Sequence, residues 1–197
     1  MKPFIGIKRI WYGAPLTEAN TPAKLATWLK TATEVKNSHE GTWGYSQDDP
    51  SVTEYKNELN GQVYYRDKTD EGAKTITFSI GVFSWKNKVD LQGGKMYKAT
   101  GEETTTEADA VGWSSSQDLA NINKCIVAQT KTGNYIVFSN AAIVAKGDQQ
   151  DKNITLGISA VAMESEIDGV AGEVLPSSKL SRYLAALTNF IIVGGET

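Results

Sequence analysis

Acid–base, nucleophilic or metal chemistry needs particular side chains at particular spacings, and this chain holds few of them. It has one histidine, His39, and one cysteine, Cys125. A Ser-His-Asp or Cys-His arrangement would have to use His39. That residue sits in Asn37-Ser38-His39-Glu40, between a predicted helix and a predicted strand, where a surface histidine is expected. Cys125 lies in Ile122-Asn-Lys-Cys-Ile-Val-Ala128, an apolar strand-like run, so a buried and inert thiol is expected. A single cysteine excludes an intramolecular disulfide, and the pair excludes a structural zinc site of several Cys and His ligands. Gln92-Gly-Gly-Lys-Met96 lacks the first glycine of a phosphate loop and places methionine where a hydroxyl should hold magnesium. No Gly-x-Ser-x-Gly elbow and no Gly-x-Gly-x-x-Gly occurs.

Carboxylates remain as acid–base candidates. Asp48/Asp49, Glu102/Glu103 and Glu164/Glu166 pair by adjacency, and all read as solvated acids. Asp148, Asp151 and Asn153 offer oxygen ligands, yet the glycine of an EF-hand loop is missing. Trp11, Trp28, Trp43, Trp85 and Trp113 leave a carbohydrate-binding platform open, although packing is the commoner use of tryptophan. The expectation is a protein without enzymatic activity, cofactor or metal.

Composition sets the frame for the elements. The chain has 197 residues, 40% hydrophobic and 22% charged, with a net charge of −3. That is ordinary globular composition and length enough for one domain with a full core. The charge gives no footprint for sequence-specific nucleic-acid binding. No apolar run reaches the roughly 20 residues of a membrane helix. The start, Met1-Lys2-Pro3-Phe4-Ile5-Gly6, lacks the apolar stretch of a signal peptide, so synthesis in the cytoplasm is expected.

Two runs alternate as strands do. Thr75–Ser84 places Ile76, Phe78, Ile80 and Val82 on one face, and Ile154–Met163 repeats the pattern through Ile154, Leu156, Ile158, Ala160 and Ala162. Weaker strands are predicted at Phe4–Trp11, Glu40–Tyr45, Ile122–Gln129, Tyr135–Ser139 and Ala142–Ala145. Lys131-Thr-Gly133 and Gly147-Asp148 supply turns. Thr21-Pro22 predicts a helix start, followed by Leu25, Trp28, Leu29 and Ala32 along one helical face. A short helix over Asn87–Gln92 is stopped by Gly93. Ser178 begins a further predicted helix through Leu180, Tyr183, Leu184 and Leu187.

The middle of the chain differs. Val52–Leu59 leads into Asn60-Gly61, a strong hairpin-turn signal, and Gln62–Arg66 returns. Both arms are polar on much of both faces, which suits projection from the body and pairing with another subunit better than burial in one core. Gly101–Asp109 carries Glu102, Glu103, Glu107 and Asp109 without a base and reads as a solvated loop.

The order of Thr42-Trp-Gly-Tyr-Ser-Gln-Asp-Asp-Pro-Ser-Val-Thr-Glu-Tyr55, Asn60-Gly61 and Thr75–Phe83 resembles the phage major tail proteins, the tail-tube subunits. Val89–Gly94, Val137–Ala145 and Ile154–Ser165 extend the resemblance, which covers roughly residues 8–166; Leu175–Thr197 departs from it as a C-terminal extension. The resemblance implies a mostly β (α+β) fold: a β-sandwich or barrel with one or two flanking helices and a projecting hairpin. It implies self-assembly into rings, usually of six, stacked into a tube within the virion tail. DNA passes through the lumen without specific binding, and other tail proteins are further partners. Asp48, Asp49, Glu54, Tyr55, Asn60, Gly61, Tyr64 and Arg66 become candidate subunit contacts. Glu102, Glu103, Glu107 and Asp109 become candidates for the lumen or rim. A tube protein of a contractile injection or type VI secretion system is the nearest alternative, and a carbohydrate-binding β-sandwich module the more distant one.

Overall fold

A computed structural model describes residues 3–17, 22–116, 121–165 and 173–174. The main sheet is built on β1 (Ile7–Gly13), β2 (Thr33–Glu34), β3 (Gly44–Gln47), β6 (Lys74–Ile80), β10 (Ile122–Thr130), β11 (Tyr135–Gln150), β12 (Asn153–Ala162) and β13 (Glu173–Val174). Its order is β2-β1-β10-β11-β12-β6-β3, with β13 against β11 and all pairings antiparallel. A separate hairpin pairs β4 (Val52–Lys56) with β5 (Val63–Lys68). A small sheet pairs β7 (Lys95–Tyr97) with β8 (Glu103–Thr104) and β9 (Gly112–Ser114). The helices are α1 (Pro22–Thr31) and α2 (Trp85–Gln92).

One segment closes the main sheet on itself. Residues 33–35 follow β1, with the Val35 N–H donating to Ile10 O at 2.8 Å. Three residues on, the same segment joins β6: His39 N–H donates to Ser79 O at 2.8 Å and Gly81 N–H to Asn37 O at 3.0 Å. The enclosed core holds Ile10 and Tyr12 of β1, Ile126 of β10, Phe138 and Ile143 of β11, Leu156 and Ile158 of β12, and Ile76, Phe78 and Ile80 of β6. Trp43 stacks on Phe78, and Tyr45 of β3 meets the edge of Phe138.

Alternation explains β6 and β12, which bury one face against this core, but it fails at the ends of the predicted runs, where Val82 and Ile154 are 73% and 70% exposed. It fails for Cys125-Ile126-Val127-Ala128, all fully buried. Ile126 and Ala128 face the sheet's interior, whereas Cys125 and Val127 join Trp11, Tyr135 and Val137 under α1. A strand covered on both sides reads as a continuous apolar run. Leu25, Trp28, Leu29 and Ala32 form the covering helical face, as their spacing predicts. Burial pushes the Cys125 thiol well above its ordinary range, in keeping with an inert thiol.

Four expectations need correcting. Tyr135–Ser139 and Ala142–Ala145 are one strand, β11, and Gly147-Asp148 lies inside it opposite Thr155 and Leu156. An unbroken ladder with β12 keeps these residues extended, and the turn falls at Asp151, whose φ is 51°. The strand predicted over Glu40–Tyr45 begins at Gly44, because Thr42 N–H turns back to His39 O. The strand predicted to Ser84 ends at Ile80, since Ser84 caps α2, which starts at Trp85. The loop over Gly101–Asp109 contains β8 and a 3-10 turn, Glu107–Asp109. Thr21, Ser178 and the predicted C-terminal helix lie outside the described residues.

Two buried tyrosines accept hydrogen bonds, one from α2 and one across the β10–β11 hairpin. Asn87 of α2 donates to Tyr12 Oη at 2.7 Å, and Gln129 donates to Tyr135 Oη at 2.8 Å. Burial, the largest cause, pushes both phenols up to about 12 from 10.0. The folded state therefore holds these protons more tightly than the unfolded chain. Their contribution is constant below pH 10 and is lost as pH rises from 10 toward 12. Denaturant titrations followed across that window, with phenolate absorbance, are expected to show stability falling only above pH 10. Leu25→Ala is expected to lower unfolding free energy by about 2–5 kcal/mol in urea titration, because Leu25 is 1% exposed at the centre of the α1 contact.

Candidate functional site

The arm continues the β3–β6 hairpin past a break. Gln47 pairs with Lys74, and Asp48 N–H donates to Ala73 O at 2.9 Å. Pro50 has no N–H to continue the ladder. Gly72 sits so close that a Cβ there would lie 2.2 Å from Asp48 O, which leaves glycine as the residue the crossing admits. Pairing resumes at Ser51, whose carbonyl accepts from Thr69 N–H at 3.0 Å, and runs through β4 and β5. At roughly 3.3 Å per residue, the run from 48 to 58 has a contour of about 35 Å.

Its tip differs from the expected two-residue turn. Asn57 N–H donates to Gln62 O and Gly61 N–H donates to Asn57 O, so residues 58–61 form the loop. Gly61 has a φ of 70°, while Asn60 stays at negative φ and accepts from Gln62 N–H through its side chain. A type I′ turn needs positive φ at both central residues. Here the Asn57 side chain also takes the Leu59 N–H, and the wider loop satisfies more donors.

Every residue of β4 and β5 is exposed. Along the arm lie Val52, Tyr55, Val63, Tyr64 and Tyr65, with Leu59 at the tip 95% exposed. Tyr55 and Tyr65 touch across the strands, their rings 5.8 Å apart. Glu54 and Arg66 form an ion pair at 2.5 Å on the opposite face. The register slips between Tyr55 and Lys56, a bulge that turns Val63 and Tyr64 toward the Lys56 side. Of the candidate contacts, Glu54, Tyr55, Tyr64 and Arg66 are carried by the strands, Asn60 and Gly61 shape the tip, and Asp48 and Asp49 stand at the base. Sequence reasoning singled out Tyr55 and Tyr64 along with polar side chains and passed over Val52, Leu59, Val63 and Tyr65. Their apolar character in an otherwise polar hairpin was the available signal.

Of the acidic candidates, Glu102, Glu103 and Asp109 are exposed and Glu107 departs from expectation. Glu107 turns inward, its carboxylate accepting from Trp85 N–H at 3.1 Å and Lys86 N–H at 2.6 Å. Ser84 Oγ accepts from Asn87 N–H, so the first turn of α2 is fully satisfied. Glu103 bonds Lys95 Nζ at 2.6 Å, and Glu102 lies 4.0 Å from Lys98. Asp109 makes no ion pair or side-chain hydrogen bond among the described residues. α2 is further held by Lys88, whose ammonium lies 4.0 Å from the Trp113 ring centroid.

Among the described residues no three His, Cys, Asp or Glu side chains gather to hold a metal ion. His39 Nε2 lies 3.5 Å from Asp151 Oδ2, and Cys125 is buried elsewhere, under α1. Asn153 donates through its amide nitrogen to Gly81 O, and Asp148 accepts from Gln149 N–H and Gln150. The five tryptophans are buried or half-buried, which leaves no exposed aromatic platform of that residue for a sugar. No helix of the described residues is long and apolar enough to cross a membrane. No protein-family model and no curated protein matches the chain. Fold and surface together define a mostly β domain carrying a projecting two-stranded arm.

Glu107→Ala is expected to lower stability by about 1–2 kcal/mol by leaving the Trp85 and Lys86 N–H groups without their acceptor, whereas Asp109→Asn is expected to change it by less than about 0.5 kcal/mol. Thermal unfolding of the two variants side by side measures the difference.

Proposed function

We propose that this chain is a structural subunit that assembles with copies of itself, of the kind that stacks as rings into a phage tail tube and conducts DNA. The observation that carries the reading is the arm: a fully exposed hairpin with six large apolar side chains. An isolated two-stranded hairpin is marginal in water, and contiguous exposed apolar residues mark interaction surfaces. Both outer strand edges of the arm are open as well, and unpaired edges are normally covered or paired.

Magnitudes favour repetition over a single contact. Covering the six side chains contributes on the order of 5–10 kcal/mol, comparable to the roughly 4–15 kcal/mol lost when two bodies associate. One arm contact is therefore weak. A head-to-tail contact repeated around a ring gives each subunit two such contacts, and stacking adds more. The resemblance to tail-tube subunits supports the ring and tube as the form of assembly. Within the acidic segment, the exposed Glu102 and Asp109 are the side chains suited to a lumen or rim.

Replacing residues 49–70 with a short glycine-containing turn tests the reading. The expected product keeps the wild-type circular dichroism and sediments as a monomer, while wild type forms rings or tubes of uniform width by negative-stain microscopy. Tubes from the armless protein, or a wild type that stays monomeric at every concentration, would overturn it.

A further inference from the structure

A cleft of about 390 Å³ opens at one end of the closed sheet, between β1, residues 35–41 and the β10–β11 turn. Its lining includes Lys8, Arg9, Lys36 and Lys131 against a single acid, Glu40. Arg9 is tied to Glu34 at 3.6 Å. Lys8, Lys36 and Lys131 have no ion pair among the described residues. Lys131 is held in place: its stem packs over Gly6, where an added Cβ would lie 3.0 Å from Lys131 Cδ. In a chain of net charge −3, this is a local excess of positive charge around a concave surface.

The opposite charge collects at the arm's base. Asp48, Asp49, Asp67, Asp70 and Glu71 are all exposed there. Lys74 lies 3.8 Å from Glu71, and the carboxylates of Asp48, Asp49 and Asp67 have no ion pair among the described residues. A cationic cleft and an anionic projection on one chain complement each other on two copies. In the ring proposed above the pairing runs head to tail from copy to copy.

We infer that the cleft formed by Lys8, Lys36 and Lys131 receives the acidic base of the arm of a second copy. This rests on the self-assembly proposed above and adds to it the surface that accepts the arm. Such a contact is heterologous, which is the arrangement that closes rings or continues as a filament. It also brings the apolar residues of the arm against the neighbour while charge fixes the register.

Charge exchange tests it. K8E/K36E/K131E makes the cleft acidic, and D48K/D49K/D67K makes the arm base basic; all six side chains are exposed or line the open cleft, so both variants should fold as wild type does. Each variant alone should assemble at a concentration roughly tenfold or more above wild type at low salt. An equimolar mixture should recover assembly, since each reversed surface then meets its opposite on the other variant. Sedimentation velocity of the two proteins separately and mixed reads all three states. Wild-type assembly that is unchanged in either variant, or a mixture that fails to recover, overturns the cleft assignment and leaves self-assembly standing. Wild type that never associates overturns both. A single-stranded DNA oligonucleotide bound by wild type and lost in K8E/K36E/K131E, with assembly intact, would show that the cleft's partner is nucleic acid and overturn the inference.

Discussion

Closure of the main sheet by residues 33–39 is the constraint on which the remaining structure depends. That segment leaves β1 and reaches β6 within a few residues. A sheet curled in this way has one enclosed face and one outer face, and the two cannot be treated alike. The inner face takes the branched and aromatic side chains of five strands. The outer face is covered where α1 lies over β1, β10 and the start of β11. Elsewhere Thr77, Ser159, Lys146 and the 63% exposed Val144 border an open groove. Closure also removes the edges that a flat sheet of this order would expose, with the arm as the exception.

The arm inherits its direction from that arrangement. β3 and β6 are neighbours in the closed sheet, and the hairpin is their continuation past Pro50 and Gly72. A rigid origin matters to a projecting element, because binding through a preordered arm avoids part of the ordering cost that a floppy loop would pay. α2 and the small sheet form a second, polar-pinned layer. Glu107, Ser84, Lys88 and Tyr12 fix the helix by hydrogen bonds and a cation–aromatic contact where apolar area is small.

Much of this was legible residue by residue. Ile76, Phe78 and Ile80 alternate, and they are core. Leu25, Trp28 and Leu29 recur at helical spacing, and they cover the sheet. Asn60-Gly61 marks a hairpin, and a hairpin is there. The errors have a common cause. β7, β8 and β9 are two or three residues long, too short for a period to register. Gly147-Asp148 carries turn chemistry that the ladder with β12 overrides. Glu107 reads as a solvated acid because its partners, the N–H groups of Trp85 and Lys86, lie about 20 residues away in sequence. The predicted contact residues on the arm included Tyr55 and Tyr64 but not Val52, Leu59, Val63 and Tyr65 beside them.

By itself the sequence determined the inventory: a lone histidine, a lone cysteine, no metal or phosphate motif, and strands whose period of two is written in consecutive residues. A side chain's chemistry and a strand's alternation are local properties, so they survive without a fold. Which strand lies beside which, where the sheet closes, which acids turn inward and which lysines gather around one cleft were decided only in three dimensions. Those are choices of partner between residues far apart in the chain. They follow from the geometry of closure, which no single window of sequence contains.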